Sequence, residues 1–162
     1  MDDGGGGASP DQPIAAALGT GVLSAIRNPD RYWQAVVDLL EGYGAWLMSK
    51  LAVERAIADD GALRAVKIGP NSALVLEDTH RLDFTIWIDA TATQTRYFFA
   101  FVTPEGVLWR KCMHEGHEDE ADGLTHLHCP QAGRETRPYP EIDLQEALNE
   151  AYDYIGTRTV PC

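Results

Sequence analysis

The stretch TRYFFAFVTPEGVLWRKCM, residues 95–113, carries the clearest secondary-structure pattern in the chain. Two runs rich in aromatic and β-branched residues flank Pro104-Glu105-Gly106, a favourable turn sequence. Runs of this composition joined by a short turn predict an antiparallel hairpin. The stretch therefore predicts a fold built around a β-sheet rather than a bundle of helices.

Alternating apolar residues extend the predicted sheet in both directions. Every second residue between positions 82 and 88 is apolar, which predicts a strand with one buried face. Shorter β-rich runs bounded by turn residues indicate three further strands, namely Ala62–Ile68, Ala73–Glu77 and Leu124–Cys129. Together these segments predict an antiparallel meander of about five or six strands.

Helical patterns lie on both sides of this meander. Asn28-Pro29-Asp30 resembles a helix start, with an N-cap residue followed by proline, and a helical pattern continues to Asp59-Asp60-Gly61. Ser9-Pro10-Asp11 offers an earlier start of the same kind. One apolar stripe within Ile142–Ile155 predicts a final helix. Helices, an antiparallel meander and then a helix give the α+β class.

The chain divides into three predicted regions. With 162 residues it is long enough for one domain. Residues 1–8 include four consecutive glycines and predict a flexible N-terminus. Residues 9–61 form the predicted helical region, whose helices are candidates for a homodimer contact. Residues 62–162 form the predicted α+β domain.

Composition restricts the environment and the partners. The net charge of −12 weakens non-specific attraction to nucleic acids. No apolar run is long enough to span a membrane, and the N-terminus has no signal-peptide pattern. The three irregularly spaced cysteines, Cys112, Cys129 and Cys162, disfavour a disulfide framework and predict thiols or metal ligands. These features predict a cytoplasmic protein without a membrane partner.

The segment RKCMHEGHEDEADGLTHLHC, residues 110–129, holds four of the five histidines. On a strand, His126 and His128 lie on the same face. Histidines with near-neutral pKa values can act as general acid and base, and arginines can hold a phosphate. The residues predicted to act in catalysis are His117, His126, His128 and Arg110. Those predicted to bind substrate are Arg96, Arg134 and Arg137. Such a centre needs no cofactor and suits RNA cleavage by the RNA's own 2′-hydroxyl.

A metal site is the alternative interpretation of the same segment. Imidazole and thiolate are the usual zinc ligands, although the segment lacks the tight ligand pairs of established structural zinc motifs. The alternative is a non-catalytic zinc-binding or protein-interaction module. Its candidate ligands are Cys112, His114, His117, His126 and His128.

The part of the chain from about Arg96 to Ile155 resembles the TumE-like toxin family of prokaryotic toxin–antitoxin pairs. In that family an aromatic strand ending in arginine precedes a histidine pair, a closing histidine cluster and a helix of D-L-x-E-x-L type. The matching segments here are Arg96-Tyr97-Phe98-Phe99, Val107-Leu108-Trp109-Arg110, His117, His126-Leu127-His128 and Asp143-Leu144-Gln145-Glu146-Ala147-Leu148.

The resemblance implies a toxin that acts on RNA as a metal-independent endoribonuclease. It also implies a cognate antitoxin protein as partner. This chain departs from the family at two motif positions: Cys112-Met113 replaces the common Asp-Asn, and Gly116 replaces the first histidine of the pair. Its N-terminal helical region also has no counterpart in the family.

Overall fold

The computed structural model describes residues 22–43, 51–70, 74–114, 125–130, 134–160 and 162. Within these ranges it contains three α-helices and an eight-stranded sheet, which confirms the α+β class. The helices are α1 (Val22–Ala25), α2 (Pro29–Gly42) and α3 (Leu144–Thr157). The strands are β1 (Leu51–Ile57), β2 (Leu63–Pro70), β3 (Leu74–Val75), β4 (Arg81–Asp89), β5 (Gln94–Thr103), β6 (Gly106–Met113), β7 (Thr125–Cys129) and β8 (Arg134–Pro138).

The sheet is an antiparallel meander. Its strand order is β1-β2-β4-β5-β6-β7-β8, and the short β3 pairs with β4 beside this path. The predicted hairpin is present: Thr103 pairs with Gly106 at the end of β5 and β6, and the chain turns at Pro104 and Glu105. Gly106 has a φ of +130°, a conformation that side chains other than glycine rarely adopt. Apart from β3, strands that follow one another along the chain are thus neighbours in the sheet.

Alternation along the strands produces two different faces. On β5 the aromatic residues Tyr97, Phe99 and Phe101 are at most 1% exposed and belong to the main hydrophobic core, together with apolar residues of α2 and α3. We call this the inner face. The intervening residues, such as Arg96 and Phe98, lie on the outer face. The two helices therefore pack against the inner face.

The two long helices begin at the residues that the sequence indicates. The Asn28 side chain accepts hydrogen bonds of 3.0 Å from the backbone N–H groups of Asp30 and Arg31. At the start of α3, Asp143 and Glu146 form a reciprocal capping box, with bonds of 3.0 and 2.9 Å. These caps satisfy backbone donors that have no partner inside a helix.

Two parts of the sequence interpretation are wrong at the sheet edges. Residues 51–57, assigned to the helical region 9–61, form strand β1, which pairs with β2 from Leu51 to Ile57. The segment LAVERAI is rich in good helix formers, but the free edge of β2 supplies hydrogen-bond partners that override this propensity. Strand β8 was also not expected, so the described sheet has more strands than predicted.

The cysteine prediction is wrong for two of the three residues. Cys129 at the end of β7 forms a disulfide with Cys162, and their Cα atoms are 6.0 Å apart. The two lie 33 residues apart, so only the return of the chain through α3 brings them together. Cys112 is a free, buried thiol. Because disulfides are rare in the cytosol, one of the grounds for the predicted cytoplasmic location no longer holds.

No helix in the described ranges is long and apolar enough to cross a membrane. The predicted flexible N-terminus at residues 1–8 and the helix start at Ser9 lie outside the described residues.

Candidate metal centre

Three potential ligands converge on the outer face, where β6 lies beside β7. Cys112 pairs directly with His126, and His128 follows two residues later on the same face. The potential ligand atoms of Cys112, His126 and His128 all lie within 4.8 Å of one another. The structure thus brings together the thiol and the two histidines that strand alternation places on one face.

The strand geometry explains why these residues meet. In an antiparallel pair, directly opposed residues have Cβ atoms about 4.5–5.5 Å apart. The spacing His-x-His on β7 then places one imidazole opposite Cys112 and the second opposite Arg110. The cluster consequently depends on the β6–β7 register, because a slip by one residue would turn the histidines toward the inner face.

Burial differs within the cluster. Cys112 is 6% exposed and His126 is 2% exposed, whereas His128 is partly exposed. Burial raises the pKa of the Cys112 thiol to about 11, against a smaller lowering effect of the Arg110 charge. A nucleophilic cysteine requires a lowered pKa, so Cys112 is unsuited to nucleophilic catalysis in the metal-free protein. A metal ion, in contrast, displaces the thiol proton when it binds.

A third imidazole lies at the edge of the cluster. The His114 ring centroid is 5.2 Å from that of His126, and the His126 and His128 centroids are 4.8 Å apart. The three rings therefore form a row, with His126 in the middle. His114 does not join the three groups whose ligand atoms converge, but it follows β6 directly and, among the described residues, is a candidate for a fourth ligand.

Arginine residues flank the cluster. Arg110 is exposed and pairs with His128 in the strand register. The Arg96 guanidinium lies over the Trp87 ring, 4.8 Å from its centroid, on the same face. Across the ranges that the structure describes, neither guanidinium takes part in an ion pair. The outer face thus presents two positive charges near the cluster in a chain that is strongly acidic overall.

The remaining predicted site residues cannot be placed. His117 lies outside the described residues, and only the backbone of Arg134 and Arg137 is described. Their backbones pair with Cys129 and Leu127, respectively. The predicted substrate-binding role of these two arginines stays a prediction.

Sequence reasoning missed a buried ionic group on the inner face. The side chain of Lys111 is fully buried, and its ammonium forms an ion pair with Glu150 of α3. The Tyr139 hydroxyl donates a 2.9 Å hydrogen bond to the same carboxylate. Strand alternation could have indicated this site, because Lys111 lies between Trp109 and Met113, which share the inner face.

Comparisons of the chain with protein-family models, curated proteins and solved structures give no match. The similarity to TumE-like toxins therefore stays a prediction that depends on the motif residues alone.

Proposed function

We propose that the protein binds a zinc ion through Cys112, His126 and His128, with His114 as the fourth ligand. The observation that carries this proposal is the convergence of one thiol and two imidazoles within 4.8 Å. These are the ligand types that zinc prefers, and they lie on two adjacent strands. An ion held there would fix β7 against β6 and stabilise that part of the sheet.

The distances are compatible with coordination after a small adjustment. Zinc binds sulfur at about 2.3 Å and nitrogen at about 2.0–2.1 Å, which places tetrahedral ligand atoms roughly 3.5 Å apart. The atoms in the cluster must therefore approach one another by roughly 1 Å, which side-chain rotation can supply. A set of four protein ligands closes the coordination sphere, as is typical of structural rather than catalytic zinc.

Metal content of the purified protein tests this proposal. We expect about one zinc ion per chain by elemental mass spectrometry, and almost none in Cys112→Ala or His126→Ala. The double variant Cys129→Ser, Cys162→Ser is the matched control, because it removes two sulfur atoms that lie outside the cluster. Equal zinc content in Cys112→Ala and in the unchanged protein would contradict the assignment of ligands.

A second candidate function is RNA cleavage without a metal. We infer it from the strand register, which places Arg110 beside His128 and two residue pairs away from His126. In this mechanism one imidazole removes the proton of the 2′-hydroxyl and the other protonates the leaving oxygen, while Arg110 stabilises the charge on the phosphate. The similarity to TumE-like toxins supports the same activity, with an antitoxin as partner and a cytoplasmic location.

The two candidates make opposite demands on the same histidines. An imidazole nitrogen bound to zinc cannot accept or donate a proton, so a saturated metal centre is inactive in acid–base catalysis. Cleavage of a defined single-stranded RNA, with and without chelator, separates them. Cleavage that survives chelator and disappears in His126→Ala would favour the ribonuclease, and overexpression would then be expected to stop growth. Absence of cleavage in both conditions would eliminate it.

A further inference from the structure

A cavity of about 550 Å³ lies where α1, α2, the β4–β5 turn and the start of α3 meet. Its volume is within the range of small-molecule sites, about 300–1,000 Å³. The cavity contains none of the residues of the Cys112 cluster, so it is a separate feature of the fold. The polar residues that matter for its chemistry are Arg27, Tyr32, Gln94, Glu141, Asp143 and Glu146.

Tyr32 contributes a hydroxyl to the cavity wall. The residue is 1% exposed and lines the cavity, and its hydroxyl has no hydrogen bond among the described residues. The hydroxyl is not one of the buried polar atoms that lack a partner, so it remains open to the cavity. Burial, followed by the charges of Asp143 and Glu141, raises the pKa of Tyr32. The hydroxyl therefore lies in a negative field created by two residues that also line the cavity.

Gln94 forms a fixed part of the cavity wall. Its amide nitrogen donates a 2.9 Å hydrogen bond to the Ile142 carbonyl, which fixes the orientation of the amide. Its Oε1 atom is buried away from solvent, so a molecule in the cavity does not contact it, and Gln94 is a structural part of the wall.

The described residues give the cavity wall a negative charge. Three carboxylates and one basic side chain of these residues line it, and the basic residue, Arg27, directs its guanidinium to backbone carbonyls, including that of Ile26 at 3.0 Å. Asp143 and Glu146 already cap α3. Glu141 is exposed and has no ion-pair partner in the described ranges. Among the described residues, the wall thus combines the Tyr32 hydroxyl with the Glu141 carboxylate, which forms no ion pair there.

We propose that this cavity binds a small organic cation that carries N–H donors, such as an alkylammonium group. An N–H donates to the Tyr32 hydroxyl, and the positive charge lies near Glu141. Asp143 and Glu146 already cap α3, so the ligand contacts lining groups that take no part in the cap.

Titration calorimetry with putrescine tests the proposal, and butanediol serves as the uncharged molecule of the same length. We expect putrescine to bind and butanediol not to bind. Glu141→Gln is expected to raise the Kd by about tenfold, because it removes the lining carboxylate that forms no ion pair or helix cap among the described residues. Tyr32→Phe, which keeps the ring and removes only the hydroxyl, is expected to weaken binding by about threefold.

Glu41→Gln is the matched control, since it removes one exposed carboxylate of α2 outside the cavity. It is expected to leave the Kd unchanged. If Glu41→Gln and Glu141→Gln weakened binding equally, putrescine would be attracted only by the general acidity of the chain, and the proposal would be wrong. Absence of putrescine binding up to about 10 mM would also overturn it.

Discussion

Lys111 and Cys112 are neighbours on β6, and both are buried, yet they show two different ways of burying a polar group. On the inner face, the Lys111 ammonium meets the Glu150 carboxylate and lies 4.0 Å from the centroid of the Tyr139 ring. The positive charge of Lys111 is therefore balanced by a carboxylate of the protein itself. On the outer face, the potential ligand atoms of Cys112, His126 and His128 lie within 4.8 Å of one another, and all three groups are electron-pair donors.

This difference distinguishes a buried charge that the protein itself compensates from a cluster that can bind a metal ion. A buried charge is tolerated when a partner of opposite charge and further contacts compensate for lost hydration, as they do around Lys111. Converging donors of electron pairs are the arrangement from which metal sites are built. We therefore interpret the inner face as structural and the outer face as functional, and each prediction below tests that contrast.

The largest expected effect is that of metal removal from the outer face. At a free zinc concentration 1,000 times the Kd, binding to the folded state alone adds about 4 kcal/mol to the free energy of unfolding. Urea denaturation with and without chelator measures this difference. In Cys112→Ala the two curves should coincide, because the comparison within one variant removes the effect of the substitution itself. A chelator effect of the same size in Cys112→Ala would place the metal elsewhere.

The disulfide should give the next largest effect. Cys129 belongs to the inner-face core, and its bond to Cys162 closes a loop with a sequence separation of 33 residues. Replacing both cysteines by serine should lower the free energy of unfolding by about 3–4 kcal/mol, because the unfolded chain regains the entropy of the open loop. Zinc content should not change. Loss of zinc in this variant would show that the two faces are not independent.

Removal of Lys111 tests the structural interpretation of the inner face. Lys111→Ala leaves the Glu150 carboxylate partly buried without its cation, and should cost about 3 kcal/mol of unfolding free energy. Lys67→Ala removes a lysine from the exposed pair with Glu54 and should cost less than about 1 kcal/mol. Urea denaturation at one pH compares the two. Equal losses would mean that burial contributes nothing to the Lys111 pair.

The sequence predicted the contrast between the faces better than it predicted the edges of the sheet. The alternation of apolar residues in β4 and the turn between β5 and β6 depend only on residues close in sequence. Both can therefore be recognised directly from the sequence. Strand β1 could not be recognised, since it is an edge strand whose last four residues are all exposed and therefore show no alternation. Its structure depends on β2, which follows it in the chain.

The candidate site was predicted in part for the same reason. The positions of His126 and His128 on one face follow from their spacing, and Cys112 joins them if β6 and β7 pair in the observed register. The disulfide and the cavity could not be predicted, because each combines residues from distant parts of the chain. Cys162 reaches Cys129 only after α3, and Tyr32 meets Glu141 only when α2 packs near the start of α3.

The smallest expected effect concerns the turn between β4 and β5, which helps to fix the register that separates the two faces. The Asp89 carboxylate accepts hydrogen bonds from the backbone N–H groups of Thr91 and Thr93, at 2.8 and 3.0 Å, and from the Thr91 hydroxyl at 2.7 Å. These bonds, with the Thr91 hydroxyl first, hold the pKa of Asp89 below its ordinary value. The ionised carboxylate therefore stabilises the turn.

The sign of the pH dependence follows from this lowered pKa. The contribution of Asp89 is present above the pKa of the unfolded chain and is lost as the pH falls through the lower pKa of the folded state. Asp89→Asn should therefore be less stable than the unchanged protein at neutral pH, by less than about 1 kcal/mol because the group is partly exposed to solvent. The difference should shrink in acid, and urea denaturation at several pH values measures it. A stability difference that stayed constant with pH would mean that the charge of Asp89 does not contribute to the turn. The strand register would then be set by the alternation of apolar and polar residues alone.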